Sequence, residues 1–278
     1  MYKLQSWIKP SDIGYTINLN PRAIKYLEEN PKLIDWYRLS KNPEAIHILE
    51  KNLDKVVWPQ LVQNPEAFHL IPPDKYRSYP VEINLNPSAI EYLTQNPDKI
   101  NWQMISLNPA ALPLLTKNQD KIYWPYLSQN PAAIHLLEAN LDRVNYGYLC
   151  YNTAGVYLLN QERIHWAYLC TNTAAIHIIE TNLDKIVWDY LSRNPAAIHI
   201  LEKNLDKVRW SQLSANPAAI HILKANPQKI DWFRMCANPA IFEYDYEAMS
   251  QSRPFVEELI QNRFHPKNMD KFINWGFE

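Results

Sequence analysis

Glycine is nearly missing from this chain: 4 residues of 278, against 21 prolines. Helix ends and tight turns usually draw on glycine for left-handed backbone, so another residue must take that task. Cysteine is sparse and odd in number, with 3 residues and no CxxC spacing. That argues against a disulfide framework or a thiolate zinc site and fits a reduced, intracellular setting. Charge of either sign is not in excess, since the formal net charge is -1. Nothing therefore predicts a broad attraction to nucleic acid or anionic membrane. No apolar run approaches the ~18–20 residues needed to span a bilayer. The opening MYKLQSWIKPSDIGYT has no basic segment followed by an apolar stretch, so no secretory signal is expected.

A 22-residue repeat fills most of the chain. Residues 194–215, NPAAIHILEKNLDKVRWSQLSA, are its most regular copy. Copies start at Asn20, Asn42, Asn64, Asn86, Asn108, Asn130, Asn152, Asn172, Asn194 and Asn216, with a partial one at Asn238. Only the Asn152 copy is shortened, to 20 residues. A fixed short period predicts an all-α solenoid.

Position 1 of the unit, Asn, suits a helix N-cap, and Pro at position 2 falls where a missing N–H costs nothing. Helix A is predicted over positions 2–10, with positions 4, 5 and 8 on one face. Asn at position 11 is expected to end it in left-handed backbone, standing in for glycine. A short link leads to helix B, of one to one and a half turns. It carries Trp at position 17, Leu at 20 and Ser or Cys at 21, the expected core between units. Asp35, Asn101 and Asp231 at position 16 can cap it. The expected anchors of the reference unit are Ile198, Leu201, Trp210 and Leu213. At ~8–10 Å per packed layer an open array would run roughly 100 Å along its curve.

The predicted organisation is an N-terminal cap at 1–19, a solenoid at 20–237 and a C-terminal helical cap at 238–278. The solenoid is expected to be irregular at 64–85, where Pro72, Pro73 and Pro80 predict a looped segment, and at 130–171. Longer amphipathic helices are predicted near 254–262 and 266–275. An open stack needs such caps because its end units otherwise expose apolar faces.

The unit NPxAIxxLxxNxDKIxWxxLSx resembles repeats in proteins of giant nucleocytoplasmic large DNA viruses of the mimivirus-like kind. The ending NPAIFEYDY, EELI, HPKNMDKFINWGF and the opening LQSWI…LNPRAI are similar to theirs. The resemblance implies a viral helical-repeat protein acting in the host cytoplasm or the virion. It implies no catalytic residue and no cofactor.

Four position-specific series invite functional readings. Histidines 47, 69, 135, 177, 199 and 221 share position 6. A metal ladder fails on spacing, because neighbouring units stand ~8–10 Å apart and zinc ligands must each reach ~2.0–2.1 Å. They are read as solvent-facing, and together charged in acid they would weaken the array. Basic residues at position 14 (Lys55, Lys99, Lys121, Arg143, Arg163, Lys185, Lys207, Lys229) could track phosphates. The acidic residue that precedes most of them makes nucleic acid a poor partner. The position-17 tryptophans read as core rather than as a platform for bases. At position 19, four consecutive units carry Tyr126, Tyr148, Tyr168 and Tyr190, which helical geometry turns outward. Exposed tyrosines in a row form a candidate strip for a protein partner, or else they pack locally to support the irregular zone. The reading is a non-enzymatic protein-binding scaffold, with a structural virion component or a nucleic-acid-binding solenoid as alternatives.

Overall fold

Each unit turns on its first asparagine. In a computed structural model that describes residues 2–251, Asn194 has extended backbone (φ -79°, ψ 113°) and its Oδ1 accepts from the Ala196 N–H. A 3₁₀ turn follows at Pro195–Ala197, then an α-helix at Ile198–Glu202. Proline at N1 presets the first turn. Helix B is one turn, as at Trp36–Leu39 or Trp232–Met235. The expected position-16 caps form: Asp35, Asn101 and Asp231 accept from backbone N–H groups of their own helix B. Between the two helices the expected link is itself a 3₁₀ turn, as at Pro31–Leu33 and Leu183–Lys185.

Position 11 corrects the expectation. Asn30, Asn96, Asn118, Asn140, Asn182 and Asn226 have φ between -126° and -141°, not left-handed backbone. The helix ends because the asparagine side chain takes over a free carbonyl. Asn182 Nδ2 donates to Ile178 O at 2.9 Å, and Asn30, Asn96, Asn204 and Asn226 do the same one turn back. Glycine is scarce because no left-handed residue is required. Asn182→Gly is therefore expected to destabilise by about 1–2 kcal/mol, from the lost bond and the added backbone freedom. An unchanged urea midpoint would refute this account.

Three fully buried columns of alanine or leucine run through the units. Alanine at position 4 (Ala45, Ala111, Ala197), leucine at 8 (Leu49, Leu115, Leu201) and leucine at 20 (Leu39, Leu127, Leu213) have no exposed surface. Of the four expected anchors, Leu201 and Leu213 are fully buried, while Ile198 and Trp210 are half-buried and pack against that core. Gly155 replaces alanine in the shortened unit, where an added Cβ would meet Leu149 Cδ1 at 2.8 Å.

Two expectations for the irregular zones are revised. The segment with Pro72, Pro73 and Pro80 is not looped. It forms helices at Pro73–Ser78 and Pro80–Leu85, with Pro73 and Pro80 at the first position, where proline is tolerated. In the shortened unit the α-helical part of helix A is gone, and a 3₁₀ turn at Val156–Leu158 remains.

The largest difference lies at the ends. The described residues form a closed ring of eleven units, not an open stack. Asn20, in the first unit, donates to Cys236 O and Asn238 O at 3.2 and 2.9 Å. Each later unit makes the same pair of bonds to its predecessor, as Asn216 does to Ser192 O and Asn194 O. The eleventh unit is split. Its helix A is the turn Pro239–Ile241 from the C-terminal side, and its helix B is Tyr15–Leu19 from the N-terminal side. The expected N-terminal cap at 1–19 is thus half of a unit, with Ile17 in the position-20 column. Strands β1 (Tyr2–Leu4) and β2 (Phe242–Tyr244) pair antiparallel, Tyr2 opposite Tyr244, and clasp the two halves. The helices predicted at 254–262 and 266–275 lie outside the described residues.

Candidate functional site

Closely stacked units bring equivalent side chains of neighbours into contact, so each series has to be judged across the unit boundary. Position 21 is a buried relay. Ser214 Oγ donates to Trp210 O (2.8 Å) and accepts from the Asp231 N–H of the next unit (3.0 Å). Cys150 repeats this with sulfur, donating to Tyr146 O and accepting from the His165 N–H. Cys150, Cys170 and Cys236 are free and buried, and burial pushes all three thiols up. They are poor nucleophiles at neutral pH.

The position-14 cations do not form a solvated stripe. Seven of them sit over the position-17 ring of the preceding unit: Lys55 on Trp36, Lys121 on Trp102, Arg143 on Trp124, Arg163 on Tyr146, Lys185 on Trp166, Lys207 on Trp188 and Lys229 on Trp210. The separations run from 4.3 to 5.2 Å. In the proline-rich unit Lys75 covers Trp58 instead. Lys99, which follows a unit without Trp, pairs with the preceding Asp98 at 2.6 Å. The tryptophans belong to the boundary between units, as expected, and most are half-buried under their cations.

The position-6 histidines are exposed, and most stand against a carboxylate. His47, His69, His199 and His221 meet Glu28, Glu50, Glu180 and Glu202 of the preceding unit at 2.5–3.1 Å. His135 follows a unit with Thr116 there and turns to Glu138 of its own helix. These rings face carboxylates rather than one another, so the side-by-side histidine contact behind the expected weakening in acid is not present at these positions. No group of three or more potential ligands among the described residues could hold a metal.

The four position-19 tyrosines do come together, with help the sequence reading missed. Tyr126 packs edge-on to Tyr148 at 5.8 Å and to Tyr123 at 5.0 Å. Tyr168 lies between Tyr151, stacked at 4.5 Å, and His165, stacked at 3.8 Å. The Tyr151 hydroxyl is pushed up by burial and by the nearby Tyr168, Tyr190 and Tyr148 phenols. Tyr190 is 40% exposed and, with Tyr151, Thr171, Asp189, Arg193 and Gln212, lines a depression of about 390 Å³. The result is one aromatic arc across four units. Tyr126, Tyr148 and Tyr168 are half-buried, Tyr126 against Tyr148 and Tyr168 against Tyr151 and His165, so local packing and an outward surface coexist. Tyr123 at position 16 and Tyr151 at position 22 flank helix B of their units and could have been found as departures from the repeat consensus there.

No helix among the described residues is long and apolar enough to cross a membrane. No family model, curated protein or solved structure matches the chain.

Proposed function

We propose that this ring is a non-enzymatic scaffold that binds a protein partner through the tyrosine arc, and that it acts as a viral protein in the host cytoplasm or the virion. One observation carries the binding reading. Tyr123, Tyr126, Tyr148, Tyr151, Tyr168 and Tyr190 depart from the repeat consensus and gather in one place. The tryptophan columns already hold the units together, so the fold does not need them there. Tyrosine offers wide contact area with little rotamer entropy to lose, which suits a protein surface. The viral reading rests on the resemblance of unit, opening and ending. The remaining polar residues recur by repeat instead of converging on one pocket, as catalysis requires. Nucleic-acid binding is disfavoured because the cation series is spent on tryptophan rings. If the protein serves a structural role in the particle, assembly must use the faces of the ring, since closure leaves no terminal unit to stack on.

Affinity purification from infected cells tests the proposal. A partner held by the wild type should be lost from Tyr148→Ala/Tyr168→Ala and from Tyr190→Ala, with thermal melts unchanged. The Tyr190 variant guards against misfolding, because that ring is the most exposed of the four. Equal recovery by folded variants would overturn the reading.

A further inference from the structure

The seam of the ring holds a second candidate surface, independent of the tyrosine arc. Elsewhere the ring pairs each position-17 tryptophan with a cation from the chain beyond it. Trp232 is the exception among the described residues. The unit after it is the split one, whose helix A is only the turn Pro239–Ile241. The side chain that approaches Trp232 is Trp7, with ring centroids 6.4 Å apart at 47°.

Beside Trp232 is a cavity of about 360 Å³ lined by Trp232, Phe233, Tyr15, Asp12, Gly14, Thr16 and Arg38. Phe233 and Tyr15 are 66% and 58% exposed. They occupy the same position 18 in neighbouring units, although they are far apart in the sequence. Asp12 supplies a half-buried carboxylate that accepts from the Lys9 N–H at 3.3 Å. Its carbonyl accepts from Cys236 Sγ, which fixes the residue at the seam. No lysine or arginine among the described residues pairs with that carboxylate. Arg38, the one cation among the described residues of the lining, is already committed to Asp35.

We infer that this seam cavity binds a basic side chain, arginine or lysine, presented by a partner protein. Three aromatic side chains and one carboxylate line the cavity, the combination that favours a bound cation. The fold uses the same chemistry on its other tryptophans, where the cation comes from the chain itself. Arginine suits the site better than lysine, because its planar guanidinium stacks on aromatic faces while bonding a carboxylate. The walls come from both ends of the chain, Asp12 to Thr16 and Trp232 to Phe233. The site therefore exists only while the ring is closed.

The test uses the full chain and two short peptides, Ac-Ala-Arg-Ala-NH2 and its neutral citrulline counterpart, with binding followed by ligand-observed NMR. The arginine peptide should bind, and the citrulline peptide should bind at least about threefold more weakly. Asp12→Asn and Phe233→Ala should each weaken the arginine peptide by a similar factor, while Tyr190→Ala leaves it unchanged. Phe233 projects into solvent, so its variant should fold even if that of Asp12 does not. Equal binding of the two peptides, no binding of either, or no effect of Phe233→Ala in a folded ring would overturn the inference. Loss of arginine binding in Tyr190→Ala alone would also overturn it, by moving the cation to the tyrosine arc.

Discussion

Deleting residues 2–19 is expected to lower the unfolding free energy by on the order of 5–10 kcal/mol, comparable to the whole stability of a typical domain. The segment buries Ile8, Ile13 and Ile17, each worth about 1.5–3 kcal/mol. It also provides β1, the Gln5 bonds to Ala240 O and Ile241 O, and the Thr16 bond to Phe233 O. The consequence reaches further than those contacts. In a ring every unit has two neighbours, whereas an opened array has two ends with one neighbour each. Repeat arrays unfold by nearest-neighbour rules, so the deleted chain should fray from the new ends and lose its single cooperative transition. Urea unfolding followed by fluorescence, with small-angle scattering for the radius, reads both effects. A deletion variant with the wild-type midpoint and radius would show that closure contributes nothing.

Asn194→Asp should cost about 3–5 kcal/mol, more than Asn194→Ser. Asn194 is 1% exposed and uses every function of its amide. Oδ1 caps the Ala196 N–H, while Nδ2 donates to Cys170 O at 2.9 Å and Asn172 O at 3.2 Å. Serine keeps a capping oxygen and has one donor for two carbonyls. Aspartate keeps the cap too, but it brings a second oxygen against two carbonyl oxygens and has no proton to share. Its folded-state pKa would lie above the unfolded value of about 3.9, because burial and the carbonyls disfavour the charge. A raised carboxyl favours the fold when protonated. The variant should therefore recover part of its loss as the pH falls toward the unfolded value, and lose it again as the pH rises. Urea midpoints at pH 7 and pH 4.5 check the sign. A larger deficit at pH 4.5, relative to wild type at the same pH, would contradict it.

The same asparagine shows where sequence reasoning reached and where it stopped. Its role as N-cap is local, two residues from its acceptor, and the Asn-Pro pair announces it. The reason for asparagine rather than serine or aspartate is not local, because the two carbonyls belong to the unit before. Position 11 was misread for a related cause. An asparagine after a helix can end it by left-handed backbone or by its side chain, and the residue type is the same in both. The position-14 lysines looked balanced by the acids beside them in sequence, yet all but Lys99 sit over rings 19 residues back. The tyrosine arc was half legible. The four position-19 residues were visible as a series, but Tyr123 joins them by packing on Tyr126 within its own unit and Tyr151 by stacking on Tyr168 across a boundary.

By itself the sequence determined the period, the unit boundaries, the helix starts and the apolar columns, because each depends on spacing within one unit or on chemistry within a turn. Tertiary structure alone decided that the chain closes. A full circle shared among eleven units asks for about 33° each, and no single unit encodes that angle. It arises from how side chains pack at every boundary, and an error of a few degrees per boundary would leave the ends apart. Closure joins Asn20 to Asn238, turns a supposed cap into half a unit, and sets Asp12 and Tyr15 beside Trp232 and Phe233.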